Sequence, residues 1–171
     1  GQAVVDGDVS PDTFVIDRRS GRLTKQRTGT KEVMAVRSAR GITLARVPQN
    51  LLPDMSKYQY WNNESQSWVP NNPGAASPII PGPVGEMSVQ YNTYLKQYLV
   101  MYCNNLSDVV IRTAPTPQGP WGPEQLVVSS QQFPGGVYAP YLHPWSTGKE
   151  LYYNLSLWSA YNVMLLHTVL P

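Results

Sequence analysis

Charge is scarce in this chain. Asp, Glu, Lys and Arg make up 14% of its 171 residues, against about 25% in an average soluble domain. That excludes a highly charged disordered tail and leaves the surface to Tyr, Asn, Gln and Ser. Cysteine is nearly absent. Cys103 stands alone, which excludes an intramolecular disulfide and gives no metal-site spacing. Only His143 and His167 could serve such a thiol as a base, and nothing local links either to it. At the end of "YLVMYC" it reads as a strand-end thiol. No run approaches the roughly 18 apolar residues of a membrane helix, and no stretch has the pattern of a secretory leader. No window holds helical periodicity over a full helix length.

What is present points to β-structure. Tyrosine is abundant, with 11 copies beside 5 Trp and 2 Phe, and 13 Gly and 16 Pro supply turns without reaching the level of a low-complexity chain. One domain of this size can bury a substantial core. The net charge of +2 hides an asymmetry: Arg18, Arg19, Arg22, Lys25, Arg27 and Lys31 cluster near the start. Asp12, Asp17 and Glu32 are interleaved with them and no stacking aromatics accompany them, so the cluster reads as a solvated segment and not as a nucleic-acid site. Sequons at Asn63, Asn105 and Asn154 permit glycosylation, Asn154 poorly because it sits in an apolar strand. The expectation is a mature extracellular chain without its signal peptide, with no nucleic-acid or membrane partner.

The strand signals repeat. "EMSVQY" alternates, with Met87, Val89 and Tyr91 on one face and Glu86, Ser88 and Gln90 on the other. "YLVMY", "VVIRTA" and "EQLVV" follow, separated by "NTYLKQ", "NNLSD" and the corner "PTPQGPWGP". Four strands in a meander of that length match one propeller blade, about 40–45 residues. "VYAPYLHP", "GKELYYNLSLW" and "YNVMLLHTVL" begin the pattern again and stop one strand short. Upstream, "ITLARVP" and "YQYWNNESQSWV" look like the end of an earlier blade. The fold class expected is all-β, with propeller-like meander blades. Residues 1–40 form an unassigned basic segment and 41–171 the C-terminal part of a propeller domain. A partial ring leaves unprotected strand edges, so a second polypeptide is expected to complete it.

The segments "GEMSVQYN", "RTAPTPQGPWGP", "YAPYLHP" and "LYYNLSLWSAYNVMLL" resemble the C-terminal half of a sialidase-like family. That family long carried only an unknown-function label, and some bacterial members are grouped with endo-D-arabinanases. The resemblance runs roughly from Ile42 to Leu170. It implies a five-bladed propeller, of which this chain supplies about two and a half blades, with a sugar cleft at the axial end of the inner strands. The family's first blades, which would hold an acid opposing Glu86, have no counterpart here.

Glycoside hydrolysis normally needs two carboxyl groups. Glu86 heads an inner-strand candidate beside Val84 and Met87, an apolar setting that suits a general acid. The alternative is an ion pair with Arg112 that staples two strands. As a site residue, Arg112 would orient Glu86 or a substrate anion. Tyr138, Tyr141 and His143 in "YAPYLHP", together with Ser88, are the candidate sugar contacts, since tyrosine packs on the apolar face of a sugar and donates a hydrogen bond; the alternative places the tyrosines in the core and His143 in a turn. Asp108, Glu124 and Glu150 read as solvated loop residues. His167 reads as core, and Trp121 and Trp158 as structural, under the Gly-Pro corner and between strands. The "DGD" at Asp6 and Asp8 lacks the rest of a calcium loop, and neither metal nor cofactor is expected. Two function classes follow: a glycoside hydrolase-like protein whose second acid lies outside this chain, or a non-catalytic carbohydrate-binding or interaction scaffold.

Overall fold

The computed structural model describes residues 40–171 throughout; before them it describes the strands Ala3–Val5, Thr13–Ile16, Leu23–Arg27 and Val33–Ser38, with side chains from Met34 onward. Asp6, Asp8 and Asp12 and most of the basic cluster lie outside the described residues. The first sheet contains β1 (Ala3–Val5), β4 (Val33–Ser38), β5 (Gly41–Arg46), β6 (Gln59–Asn62), β7 (Ser67–Pro70) and the short β8 (Ile80–Pro81). Its path is β1-β4-β5-β6-β7, with β8 paired to β5, while β2 (Thr13–Ile16) and β3 (Leu23–Arg27) form a separate hairpin. The expected boundary between residues 40 and 41 coincides with the β4–β5 turn, and strands on both sides of it pair in one sheet.

The second sheet is the four-strand meander expected from the sequence: β9 (Met87–Asn92), β10 (Gln97–Cys103), β11 (Val109–Ala114) and β12 (Gln125–Val128), paired in that order. The third holds β13 (Val137–Leu142), β14 (Glu150–Leu157) and β15 (Val163–Val169). Short turns join these strands, and asparagine closes those between β6 and β7, β9 and β10, and β10 and β11. Asn92 Oδ1 accepts from Leu95 N (2.9 Å), Asn62 Oδ1 from Glu64 and Ser65 N (3.0 and 2.8 Å), and Asn104 Oδ1 from Leu106 and Asp108 N (2.9 and 3.1 Å). In each turn the side chain of a strand-ending residue takes the amides the ladder no longer serves.

The second sheet lies between the other two. Val84, Met87, Val89, Val100, Tyr102 and Val110 pack against Ile42, Leu44, Trp61 and Ile80 of the first sheet region. The opposite face puts Leu99, Met101 and Ile111 against Leu142, Leu151 and Leu155 of the third. Strand β9 also lies beside β1 and β13 without pairing to either. The chain is therefore all-β and propeller-like: leading strands side by side, later strands fanning outward.

Between β9 and the third sheet the link is polar. Ser88 Oγ accepts from Leu142 N (3.1 Å), Gln90 Nε2 donates to Ser146 O (2.6 Å) and Asn92 Nδ2 donates to Gly148 O (2.8 Å). Asn92 is 0% exposed. Removing its amide strands Leu95 N and Gly148 O without their partner, which costs about 2–3 kcal/mol. Asn92→Ala is expected to lower the chemical-denaturation midpoint by that amount, and Thr93→Val, at an exposed hydroxyl on the same seam, by less than about 1 kcal/mol. Equal small losses would remove Asn92 from its role as the lock.

Candidate functional site

Glu86 emerges at the end of β9 beside Cys103. Gly85 N donates to Cys103 O (2.8 Å), and a Cβ on Gly85 would stand 3.0 Å from that oxygen and 3.1 Å from Cys103 Cβ. Only glycine lets the segment approach so closely. Cys103 is buried, with Sγ 4.0 Å from Val137 O at the start of β13. Burial, with the negative charges of Glu86 and Asp108, pushes its thiol up to about 11, so it is neither a thiolate nor a nucleophile at neutral pH. Gly85 and Val137 thus both rest on Cys103, and the next residue in each segment, Glu86 and Tyr138, emerges at the same end of the inner strands. Glu86 is exposed to solvent, which differs from the apolar enclosure expected from its neighbours.

Tyr138 stacks on Trp158, centroids 4.2 Å apart with planes at 28°. Trp158 was expected between strands; it is instead 52% exposed. It sits in the β14–β15 turn, held by its own N–H to Gly136 O (3.1 Å). The chain makes room for that turn at Gly135 (φ +99°), where a Cβ would come within 2.5 Å of Ser159 Cβ. A bulge in β13 between Tyr138 and Tyr141, with Ala139 at φ +49°, re-aims the strand just here.

Past the bulge, Tyr141 meets His143 edge-on (6.1 Å) and His143 stacks on Trp145 (4.2 Å, 28°). His143 is fixed by its own N–H to Tyr152 O (3.0 Å) and by a hydrogen bond between Nε2 and Asn154 Oδ1 (3.2 Å). Trp145, 72% exposed, was missed in the sequence; its spacing two residues after His143 was the available signal. Ser88 is buried, and its hydroxyl is occupied by the third sheet.

Arg112 does not meet Glu86. It sits opposite Val100 and pairs with Glu124, 3.4 Å from Nη2 to Oε1. Glu124 is not the loop bystander expected: it also accepts from Tyr102 Oη (2.7 Å) and Asn104 Nδ2 (3.1 Å). Arg112 Nε is buried without a hydrogen-bond partner among the described residues. Burial of Tyr102, then its bond to Glu124, raises the phenol well above its ordinary range. His167 is likewise not core: it is exposed, stacked on Tyr152 (4.5 Å) and 3.5 Å from Glu150. No group of three His, Cys, Asp or Glu suited to a metal occurs among the described residues.

For Glu124, burial works against the charged form, but the hydrogen bonds from Tyr102 and Asn104 and the Arg112 guanidinium together outweigh it and hold the carboxyl below the usual carboxylate range. A depressed carboxylate contributes stability above its unfolded pKa and loses it as pH falls through the folded value. Glu124→Gln is expected to cost about 1 kcal/mol at pH 7, discounted for its solvent exposure. Below the depressed folded value that difference should vanish as the wild type protonates. Denaturation midpoints at the two pH values check this; a pH-independent difference would contradict it.

Comparison with known proteins places the chain. Notoamide biosynthesis cluster protein J' of Aspergillus versicolor is 36% identical over 146 residues, and Notoamide biosynthesis cluster protein J of Aspergillus sp. (strain MF297-2) is 33% identical over 146. Each alignment takes in 80% of this chain but only 40% and 39% of the relative, so the chain spans about two fifths of the length of the curated relatives it matches. A solved structure from Bacteroides ovatus ATCC 8483, described provisionally as a hydrolase, superposes with a TM-score of 0.57 at 16% identity, over 85% of this chain and 45% of that one. This last likeness concerns the fold. The profile of a family described as a domain of unknown function, DUF4185, matches residues 28–167, and the chain belongs to that family.

Proposed function

We propose that this chain is the carbohydrate-handling part of a glycoside hydrolase-like propeller of the sialidase-like kind that includes arabinanases. The observation that carries the reading is the meeting of Gly85 and Val137 on Cys103, which brings the segments bearing Glu86 and the Tyr138–Trp158 stack to one end of the inner strands. An exposed acid and an open aromatic platform at one end of the strands suit protonation of a glycosidic oxygen: the rings hold the apolar face of the sugar, and the carboxyl delivers the proton to the leaving group. Tyr141, His143 and Trp145 form a second aromatic group at and just past the other end of β13. Arg112, engaged by Glu124, acts in this reading as a strand staple and not as a partner of Glu86.

The opposing carboxylate lies outside this chain, about 5–5.5 Å from Glu86 for a retaining reaction or roughly 6.5–9.5 Å for an inverting one. The third sheet gives independent support for a missing neighbour. Strand β15 alternates so that Met164 and Leu166 pack inward while Val163, Leu165 and Val169 stand exposed, Leu165 at 65%. The second sheet is covered on both faces, and this face of the third is the one a further blade would cover, whether from the same polypeptide or from a second one. The hydrolase name of the Bacteroides ovatus structure is in keeping with the reaction class. An extracellular setting, where polysaccharide is met, completes the reading.

The test is release of reducing ends from arabinan and other neutral polysaccharides by the native protein. Glu86→Gln is expected to cut turnover by about 10²–10⁴-fold with saccharide binding retained, and Tyr138→Ala to weaken binding. Turnover unchanged in Glu86→Gln would remove it as the acid. Binding that depends on Tyr138 without any turnover in the wild type would establish the carbohydrate-binding scaffold in its place.

A further inference from the structure

A cleft of about 590 Å³ opens between the β6–β7 hairpin and the corner that joins β11 to β12. It is well separated from Glu86. Strand β11 starts at Val109, opposite Cys103, and ends at Ala114, opposite Tyr98, about 17 Å of strand away. The cleft lies beyond that far end, where Trp61, Asn63 and Gln66 of the first sheet face Thr116, Gln118 and Trp121 of the corner. Its volume falls within the range of small-ligand sites, and none of its lining residues is charged.

Both walls are built. Trp61 is 8% exposed and meets Trp68 edge-on at 5.3 Å, while the Arg46 guanidinium lies 4.3 Å from the centre of the Trp68 ring. On the other side, Gly119 takes φ +105°, and a Cβ there would be 2.9 Å from Trp121 N and 3.2 Å from its Cδ1. Thr116 Oγ1 donates to Gly119 O (2.8 Å), and Trp121 Nε1 donates to Pro117 O (3.2 Å). Trp61 Nε1 is taken by Asn63 Oδ1 (3.4 Å). Both indole N–H groups are thus used internally, and with Trp61 buried it is the half-buried Trp121 that offers ring surface. The amides are the reverse. Gln66 Nε2 donates to Asn63 O (2.6 Å) and Oδ1 (3.1 Å), leaving Gln66 Oε1, Asn63 Nδ2 and the Gln118 amide without hydrogen bonds among the described residues.

We infer that this cleft binds a short neutral saccharide. Flat indole surface suits the C–H face of a sugar ring, and donors and acceptors in the same wall suit its hydroxyls, each of which offers both. The uncharged lining disfavours anionic and cationic ligands, whose desolvation it would not repay. A proline-rich peptide would also use the tryptophans, but Gln66 Oε1, Asn63 Nδ2 and the Gln118 amide together exceed what its sparse backbone polarity engages. The site stands apart from the chemistry assigned to Glu86 and holds whether or not that reaction occurs.

The test is tryptophan-fluorescence and calorimetric titration of the full chain with short oligosaccharides of arabinose, glucose, galactose, mannose and xylose. Binding of at least one is expected, weakened about tenfold or more by Gln118→Ala and by Trp121→Ala. Gln118 makes no hydrogen bond among the described residues, so its variant keeps the test valid if Trp121→Ala fails to fold. Absence of binding to every sugar, or affinity unaltered in Gln118→Ala, overturns the proposal. So does loss in Tyr138→Ala with retention in both cleft variants, which places the saccharide at the Glu86 end. A proline-rich peptide bound in the cleft in place of any sugar overturns it as well.

Discussion

Strand β9 holds its two neighbours by opposite means, and the arrangement of the chain depends on that difference. Met87 and Val89 join an apolar core with the first sheet. One residue out of phase, Ser88, Gln90 and Asn92 bond the backbone of the third sheet at Leu142, Ser146 and Gly148. An apolar face fixes closeness but leaves sliding cheap; directed hydrogen bonds fix position along the strand as well. With β9 and β13 held in one register, Gly85 and Val137 at the starts of both strands meet Cys103, and the segments that carry Glu86 and Tyr138 begin at the same end. The candidate site is therefore a product of the seam between sheets and not of any one strand.

The charged groups divide by role along the same logic. Glu124 and Arg112 sit among Tyr102 and Asn104 on the side of the second sheet that meets the first, where each satisfies its neighbour and ties β10, β11 and the start of β12 together. A carboxylate with that many donors is held ionised, a poor proton source. Glu86, exposed at a strand head, is free of that network. The opposite ends of the sandwich are then chemically distinct: an acid with aromatic rings at one, and tryptophans with uncharged amides in the cleft beyond β11 at the other.

Most of the strand pattern was legible. "EMSVQY" announces its two faces by alternation, and the runs that became β10 to β12 and β13 to β15 are bounded by turn residues where the structure turns. The pairing of β4 with β5 was harder to see, because "VMAVRS" does not alternate cleanly in hydrophobicity and its partner lies only a tight turn away. Side-chain roles set by distant partners were the main losses. Nothing local distinguishes Glu124 from a loop acid, since its donors Tyr102 and Asn104 are twenty or more residues away in sequence. His167, in an apolar strand, reads as core and Trp158 as packed between strands, yet an outer strand has one face bare and a turn has no cover. Burial on β15 follows from what is absent on its outer side, which no local pattern records.

In the proposed arrangement this chain is an arc of a propeller, and a further blade covers the exposed Val163, Leu165 and Val169 of its third sheet. The most direct measurement is the intact mass of the protein from its native source, first under native and then under denaturing conditions. A particle well above 19.1 kDa is expected, either one longer polypeptide or two chains that separate on denaturation. A lone monomer of 19.1 kDa under both conditions, folded and soluble with that face uncovered, would contradict it.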